Sequence, residues 1–390
     1  MTISTYDLWP KKLVIGPGAV KNVGSEVKAF GKEKVMLITD QTLKELPMVK
    51  NLASMLKDEG LQVAVFGEIG PNPTDVMVHN TVEQMKKFQP EVIVAIGGGS
   101  PIDAAKAANV VYTHGGTVGS YDIAIGGITK ITPKLLPFIA IPTTAGTGSE
   151  VTFVGVITDT KRGVKYGVLS PLVVPDVAIL DAELTVSLPA NTTAFTGVDA
   201  LTHAIEAYVS IAGSHIADAL AIKAMKMVSK NLKTAVFDGK DIKAREEMLV
   251  ASMIAGFAFN IKNLGLCHQM AHQLSSYCGL PHGLANAILL PHVMRFNMSA
   301  CPERFAEIAE ALGADIRRMS IQQAANKSVE IVEKLSAELN IPKYLDDAGV
   351  DKNLVDAMVK TALEDSVGMN NPKKTTPEEC KQVYLCAFRP

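Results

Sequence analysis

The sequence predicts an α/β nucleotide-binding domain followed by an all-helical domain. Three observations point there. Short apolar, β-branched runs recur at 35–39, 62–66, 92–96 and 138–142, with helix-length segments such as 78–88 between them. From about Asn191 such runs become rare, and apolar residues recur at helical spacing over 196–209, 217–232, 244–260, 264–274 and 302–312. Glycine- and threonine-rich loops directly follow two of the strands. Apolar strands alternating with helices imply a parallel sheet covered on both faces. A chain of 390 residues exceeds one ordinary core. The change of texture beside Pro189 sets the expected domains at 1–187 and 188–390, with the ligand cleft expected between them.

Bulk properties remove several function classes. A net charge of -2, with Lys and Arg scattered, offers no electrostatic case for nucleic acid or an anionic membrane. Residues 1–13 carry Asp7, Pro10, Lys11 and Lys12 and no apolar leader core. The most apolar helical stretch, 248–259, is well short of the ~20 residues that span a bilayer. Cys267, Cys278, Cys301, Cys380 and Cys386 form no C-x-x-C pair, which suits reduced thiols and a cytoplasmic location.

The segment Gly97-Gly98-Gly99-Ser100-Pro101-Ile102-Asp103 follows the strand 92–96 and opens a helix. Its glycines let the backbone approach a ligand. Ser100 suits the N-cap, Pro101 the first helical position, and Asp103 the acid of a capping box. The free N–H groups of such a helix start suit a pyrophosphate. The motif is not G-x-G-x-x-G, and a tight turn that binds nothing would look the same.

A second loop, Pro142-Thr143-Thr144-Ala145-Gly146-Thr147-Gly148-Ser149-Glu150, places hydroxyls after the strand 138–142. Two such loops on one sheet favour a dinucleotide. Asp40, ending the strand 35–39, can bond an adenosine ribose and repel a 2′-phosphate, which favours NAD over NADP; by position alone it reads more readily as a surface turn acid.

Metal-binding chemistry is concentrated in the second half. Asp199 and His203 stand four apart on one helical face, as do His268 and His272, and His282 follows in the turn Gly279-Leu280-Pro281. One carboxylate and three imidazoles from this group can enclose a divalent ion and leave a position open for substrate. Each pair alone could be a solvated face or core histidines; four of eight histidines within this group favours a site.

Together, Gly97 to Pro101, the Thr143 to Glu150 loop, Gly197-Val198-Asp199-Ala200-Leu201-Thr202-His203-Ala204-Ile205-Glu206 and the 268/272/282 spacing resemble the iron-containing alcohol dehydrogenase family. That resemblance implies a dehydroquinate synthase-like fold and an alcohol dehydrogenase acting on a small alcohol/aldehyde pair. It implies NAD and a divalent ion as cofactors, Fe2+ with Zn2+ or Mn2+ as alternatives. It makes Asp199, His203, His268 and His282 the metal ligands and puts His272 near the nicotinamide, outside the ligand set; His272 or water is then the candidate proton relay. Around the cofactor it places Asp40, Asn72, Gly98, Gly99, Ser100, Thr143, Thr144, Thr147, Thr152, Lys165 and Leu184.

Beside the histidine helix stands Lys262, within Asn260-Ile261-Lys262-Asn263. Pointing into the cleft, it would attract an anionic short aldehyde such as sulfoacetaldehyde; a lysine near a helix start is more often simply solvated. A second reaction class is an NAD-retaining, metal-dependent lyase or cyclase of the dehydroquinate synthase type, which shows no net NADH change. A small-molecule substrate and a homodimer or larger homo-oligomer complete the expectation.

Overall fold

The computed structural model describes residues 9–390. The expectation about an apolar leader core at 1–13 therefore falls mostly outside the described residues.

Two compact units divide the chain. The first runs through Thr144 and resumes over Gly148–Ser187; the second comprises Ala145–Thr147 and Leu188–Pro390.

In the first unit, strands β1 (Lys12–Ile15), β2 (Lys34–Asp40), β3 (Gln62–Ile69), β4 (Val92–Gly97), β5 (Phe138–Pro142) and β8 (Val177–Leu180) alternate with α1 (Val23–Ala29), α2 (Pro47–Asp58), α3 (Asp75–Phe88) and α4 (Gly99–His114). Among the described residues the strands form one parallel sheet ordered β1-β8-β5-β4-β2-β3. Neighbouring residues of each strand serve opposite faces. Met36, Ile38, Ile93 and Ala95 pack with Val78, Val82 and Met85 of α3 and Ile102 of α4. Val35, Leu37, Val92, Val94 and Ile96 pack with Val23 and Val27 of α1 and Leu52 and Leu56 of α2. Burial on both faces explains why these strands are continuous apolar runs.

An antiparallel hairpin, β6 (Val154–Asp159) with β7 (Val164–Leu169), lies outside this sheet and was not anticipated. It approaches α4 closely: a side chain at Gly155 would begin 2.9 Å from the Asp103 carbonyl oxygen.

The second unit is helical. It contains α5 (Ala190–Val209), α6 (His215–Phe237), α7 (Ile242–Lys262), α8 (Leu266–Cys278), α9 (His282–Met298), α10 (Pro302–Ala311), α11 (Ile321–Glu338), α12 (Val355–Glu364) and α13 (Pro377–Cys386). One core joins them, including Val198, Leu201 and Ile205 of α5, Met225 and Val228 of α6, Met248 of α7 and Leu289 of α9. Gly197 lets α5 meet α6, since a Cβ there would fall 2.2 Å from Leu232. Among the described residues no single helix is long and apolar enough to cross a membrane; α7 and α8 reach that composition only as a pair bent by 107°.

Candidate functional site

The first unit gathers its candidate binding residues at the carboxyl ends of the parallel strands. Sheet order reverses between β2 and β4, whose following connections run to opposite sides. That switch point is where open α/β sheets accept ligands. Asp40 ends β2 and Gly97 ends β4. Gly97 has φ +149, and a Cβ on it would meet Pro101 at 2.4 Å and Asp40 Oδ2 at 3.5 Å. A Cβ on Gly98 would meet Thr144 Oγ1 at 3.4 Å. Glycine thus keeps a backbone cradle clear between Asp40 and Thr144, and a pyrophosphate fits such a helix-start cradle.

Several details differ from the sequence expectation. Helix α4 begins at Gly99 with Gly98 as its cap, so Ser100 and Pro101 lie inside the first turn and Ser100 is not the N-cap. Asp103 caps nothing. Its carboxylate takes the Ser149 hydroxyl (2.5 Å) and the Val156 N–H (3.1 Å), joining α4 to the threonine loop and the hairpin. The Thr152 hydroxyl is engaged by the buried Lys106 ammonium (2.8 Å), which also donates to the carbonyls of Ser149 (2.7 Å) and Val154 (2.9 Å). Thr152 therefore also supports the loop, because an ammonium buried there needs every acceptor within reach.

The remaining candidates follow their elements. Asp40 Oδ1 accepts the N–H groups of Thr42 (2.9 Å) and Leu43 (2.8 Å), which aims its carboxylate. Thr143 is buried and its N–H bonds the Gly97 carbonyl (2.9 Å). Asn72 follows β3 with φ 51, Lys165 stands on β7 opposite Thr158, and Leu184 packs on the apolar core after β8. Thr147 belongs to the second unit.

In the second unit, the ligand atoms of Asp199, His268 and His282 lie within 4.8 Å of one another. His203 lies outside that mutual set but beside it. Its ring stacks on His268 with centroids 4.5 Å apart, and Nδ1 stands 3.1 Å from the Gly146 carbonyl, so Nε2 is the nitrogen that could take an ion. His282 does not sit in a turn: it is the first residue of α9, after the cap Pro281. A side chain at Gly283 would begin 2.6 Å from the Phe195 carbonyl oxygen, so glycine lets this helix start press against α5.

Two residues whose roles the sequence reading missed hold this cluster. Glu206, one turn beyond His203 on α5, accepts the Cys267 N–H (2.6 Å) and His268 Nδ1 (2.5 Å). Gly265 at the cap of α8 leaves room for it, a Cβ there falling 2.9 Å from Glu206 Oε1. A carboxylate on Nδ1 directs the Nε2 lone pair of His268 toward Asp199 and His282. Asn286 of α9 offers its amide nitrogen to Asp199 Oδ1 (2.7 Å), His268 Nε2 (3.1 Å) and His282 Nε2 (3.2 Å). These three side chains are the ones whose donor atoms could together hold a divalent ion.

The electrostatics agree with a cation site. Burial works to raise the Asp199 pKa, yet His203, His282 and His268 hold it well below the usual carboxylate range. Burial pushes His203 down to about 4, keeping a neutral imidazole. Burial opposes charge on His268 too, but Glu206 and Asp199 raise it to about 9.

One turn beyond His268, His272 places its ring centroid 5.4 Å from that of His282, and its Nδ1 lies 2.7 Å from Asp365 Oδ2. Lys262 points elsewhere. Its ammonium is fully buried and donates to Asp218 (2.6 Å) and the Tyr208 carbonyl (3.2 Å), so it offers no charge to an anionic aldehyde.

Comparison with known proteins accounts for both halves. The iron-containing alcohol dehydrogenase model matches residues 10–182, and the C-terminal model of the Fe-containing alcohol dehydrogenase family matches residues 193–388. The chain belongs to the iron-containing alcohol dehydrogenase family. It is 42% identical to a 1,3-propanediol dehydrogenase of Citrobacter freundii, over 100% of both chains. It is 40% identical to an NAD-dependent methanol dehydrogenase of Bacillus methanolicus, covering 97% of this chain and 98% of that one. A crystal structure of 1,3-propanediol oxidoreductase superposes with a TM-score of 0.95 at 40% identity, covering 99% of this chain and 100% of the other. As a member of this family the protein is an oxidoreductase, with the parallel α/β N-terminal and helical C-terminal domains that the sequence predicted.

Proposed function

We propose that this alcohol dehydrogenase uses NAD(H) and one divalent ion to interconvert a small, uncharged alcohol and its aldehyde. The observation that carries it is the convergence of Asp199, His268 and His282, with Glu206 and Asn286 behind them. Asp199, His203, His268 and His282 would hold the ion, and Asp40, Gly98, Gly99, Thr143 and Thr144 would line the nucleotide site. When bound, the ion polarises the carbonyl oxygen and NADH supplies the hydride.

The chain's own groups do the rest. Asp199 supplies the one negative charge of the ligand set. Glu206 fixes the tautomer of His268 so that Nε2 faces the ion. Asp40 disfavours a 2′-phosphate, selecting NAD over NADP. His272 exchanges a proton at Nε2 with the hydroxyl or alkoxide oxygen. Nitrogen and oxygen donors do not themselves separate iron from zinc or manganese; Fe2+ is inferred from the family's name. The free thiols suit the cytoplasm, and a homo-oligomer is proposed on general grounds.

Burial of Lys262 removes the physical reason for an anionic substrate, so the substrate class we infer is neutral, such as 3-hydroxypropanal or lactaldehyde. The test is anaerobic purification with metal analysis, then NADH oxidation with acetaldehyde, 3-hydroxypropanal, lactaldehyde and sulfoacetaldehyde. Metal-dependent NADH consumption with the neutral aldehydes is expected. Bound NAD with no net NADH change would favour the lyase or cyclase class, and preference for sulfoacetaldehyde would refute the neutral assignment.

A further inference from the structure

Helix α8 carries His268 and His272 on one face, and the 3₁₀ turn Ser366–Gly368 lies against that helix. The turn is held from several sides. Gln269 Nε2 donates to the Asp365 carbonyl (2.9 Å), and a Cβ at Gly368 would overlap the Gln269 amide at 2.3 Å. Beyond the turn, the Asn370 carbonyl accepts the Ile211 N–H (3.0 Å). The Asn370 amide donates to the Lys262 carbonyl (3.1 Å), and Asn371 Oδ1 accepts the Leu266 N–H (3.1 Å).

Asp365 is therefore an anchored group. One carboxylate oxygen, Oδ1, accepts the Val367 N–H (3.0 Å) and caps its own turn. The other, Oδ2, stands 2.7 Å from His272 Nδ1. Both side chains are largely buried, at 11% and 16% exposure, so water competes little for this bond.

We propose that Asp365 is a positioning residue for the dehydrogenase reaction: it holds His272 with the proton on Nδ1, so that Nε2 is the nitrogen that exchanges a proton with substrate. The inference rests on His272 being the proton carrier. An ionised carboxylate can only accept, so the imidazole nitrogen facing it carries the hydrogen. In alcohol oxidation the substrate O–H bond breaks and its proton goes to Nε2, while the hydride leaves carbon for NAD+. His272 becomes imidazolium and Asp365 stays ionised beside it; in aldehyde reduction the same proton returns to the alkoxide. Asp365 touches no reacting atom. It acts through His272, as the orienting carboxylate of a catalytic triad acts through its histidine.

The test combines steady-state kinetics of the metal-loaded enzyme with 15N NMR of histidine-labelled, zinc-loaded protein. For Asp365→Asn we expect kcat to fall on the order of 100-fold, KM for the alcohol to change less than about threefold, and metal content and NADH affinity to be retained. Asp365→Glu should recover part of kcat. In a His272→Ala background, adding Asp365→Asn should cost nothing further. The unmutated protein should show His272 protonated on Nδ1, a readout that needs no variant to fold. Full kcat in Asp365→Asn beside a large loss in His272→Ala would overturn the positioning role while sparing His272. Unchanged turnover in His272→Ala would overturn both. Additive losses in the double variant, or a His272 proton on Nε2, would reduce Asp365 to a structural contact and overturn the proposal.

Discussion

Glu206 and His268 are 62 residues apart in sequence, yet the glutamate Oε2 lies 2.5 Å from the imidazole Nδ1. The other oxygen of the same carboxylate takes the Cys267 N–H, so one side chain both caps α8 and orients its first histidine. Glu206→Gln should therefore weaken binding of a divalent ion by about 10- to 100-fold, with the four proposed ligands intact. Competition titration with a chromogenic chelator checks it, and unchanged affinity would remove Glu206 from the metal centre.

Asp40 lies beside the glycine turn and caps the residues that follow it. Asp40→Gly is expected to reduce the preference for NAD over NADP at least tenfold, about 1.4 kcal/mol. The same change should lower stability by about 1 kcal/mol through loss of the two capped N–H groups. Kinetics with both cofactors and a denaturant titration separate the two effects.

Lys262 and Asp218 form a pair whose lysine is fully buried, and Arg304 also reaches Asp218 (3.1 Å). Lys262→Met should leave the relative kcat/KM for sulfoacetaldehyde and lactaldehyde unchanged. It should lower unfolding free energy by about 1 to 3 kcal/mol, less than for an isolated buried pair because Arg304 still neutralises the acid. A selective loss of sulfoacetaldehyde turnover would place the ammonium at the substrate after all.

Glu150 is buried in the threonine loop, and burial raises its pKa from 4.5 to about 7, partly opposed by Lys106. The folded state therefore holds this proton more tightly than the unfolded chain. The stability so gained is full below pH 4.5 and is lost as pH rises toward 7. Glu150→Gln should remove that decline, leaving the variant more stable than the parent by about 2 to 3 kcal/mol at pH 8 relative to their difference at pH 4.5. Urea unfolding at the two pH values measures it; parallel pH profiles would contradict a raised Glu150.

Much of the architecture was readable because burial on both faces leaves strands uninterrupted by polar residues, as in Val92 to Ile96. Strand β1 escaped because it is a four-residue edge with Leu13 and Ile15 exposed. Gly279 and Pro281 read as a turn, which concealed that Pro281 is the cap of α9 and His282 its first residue. The histidines were visible through their four-residue spacing on α8, a local signal. Asp365 had no local signal, since its partner lies 93 residues away; Asn286 stands four residues after His282, but the Asp199 it also reaches lies 87 residues earlier. Lys262 misled for a related reason, since nothing near it in sequence announces Asp218, 44 residues earlier.

Asp199, His203, His268 and His282 are proposed to hold one divalent ion on which hydride transfer depends. The most direct measurement is metal stoichiometry of His268→Ala after anaerobic reconstitution, with aldehyde-dependent NADH oxidation and NADH binding followed on the same sample. The expected result is about one ion per chain in the parent, little or none in the variant, activity lost in parallel, and NADH affinity retained. Full turnover by a metal-free His268→Ala protein would contradict it.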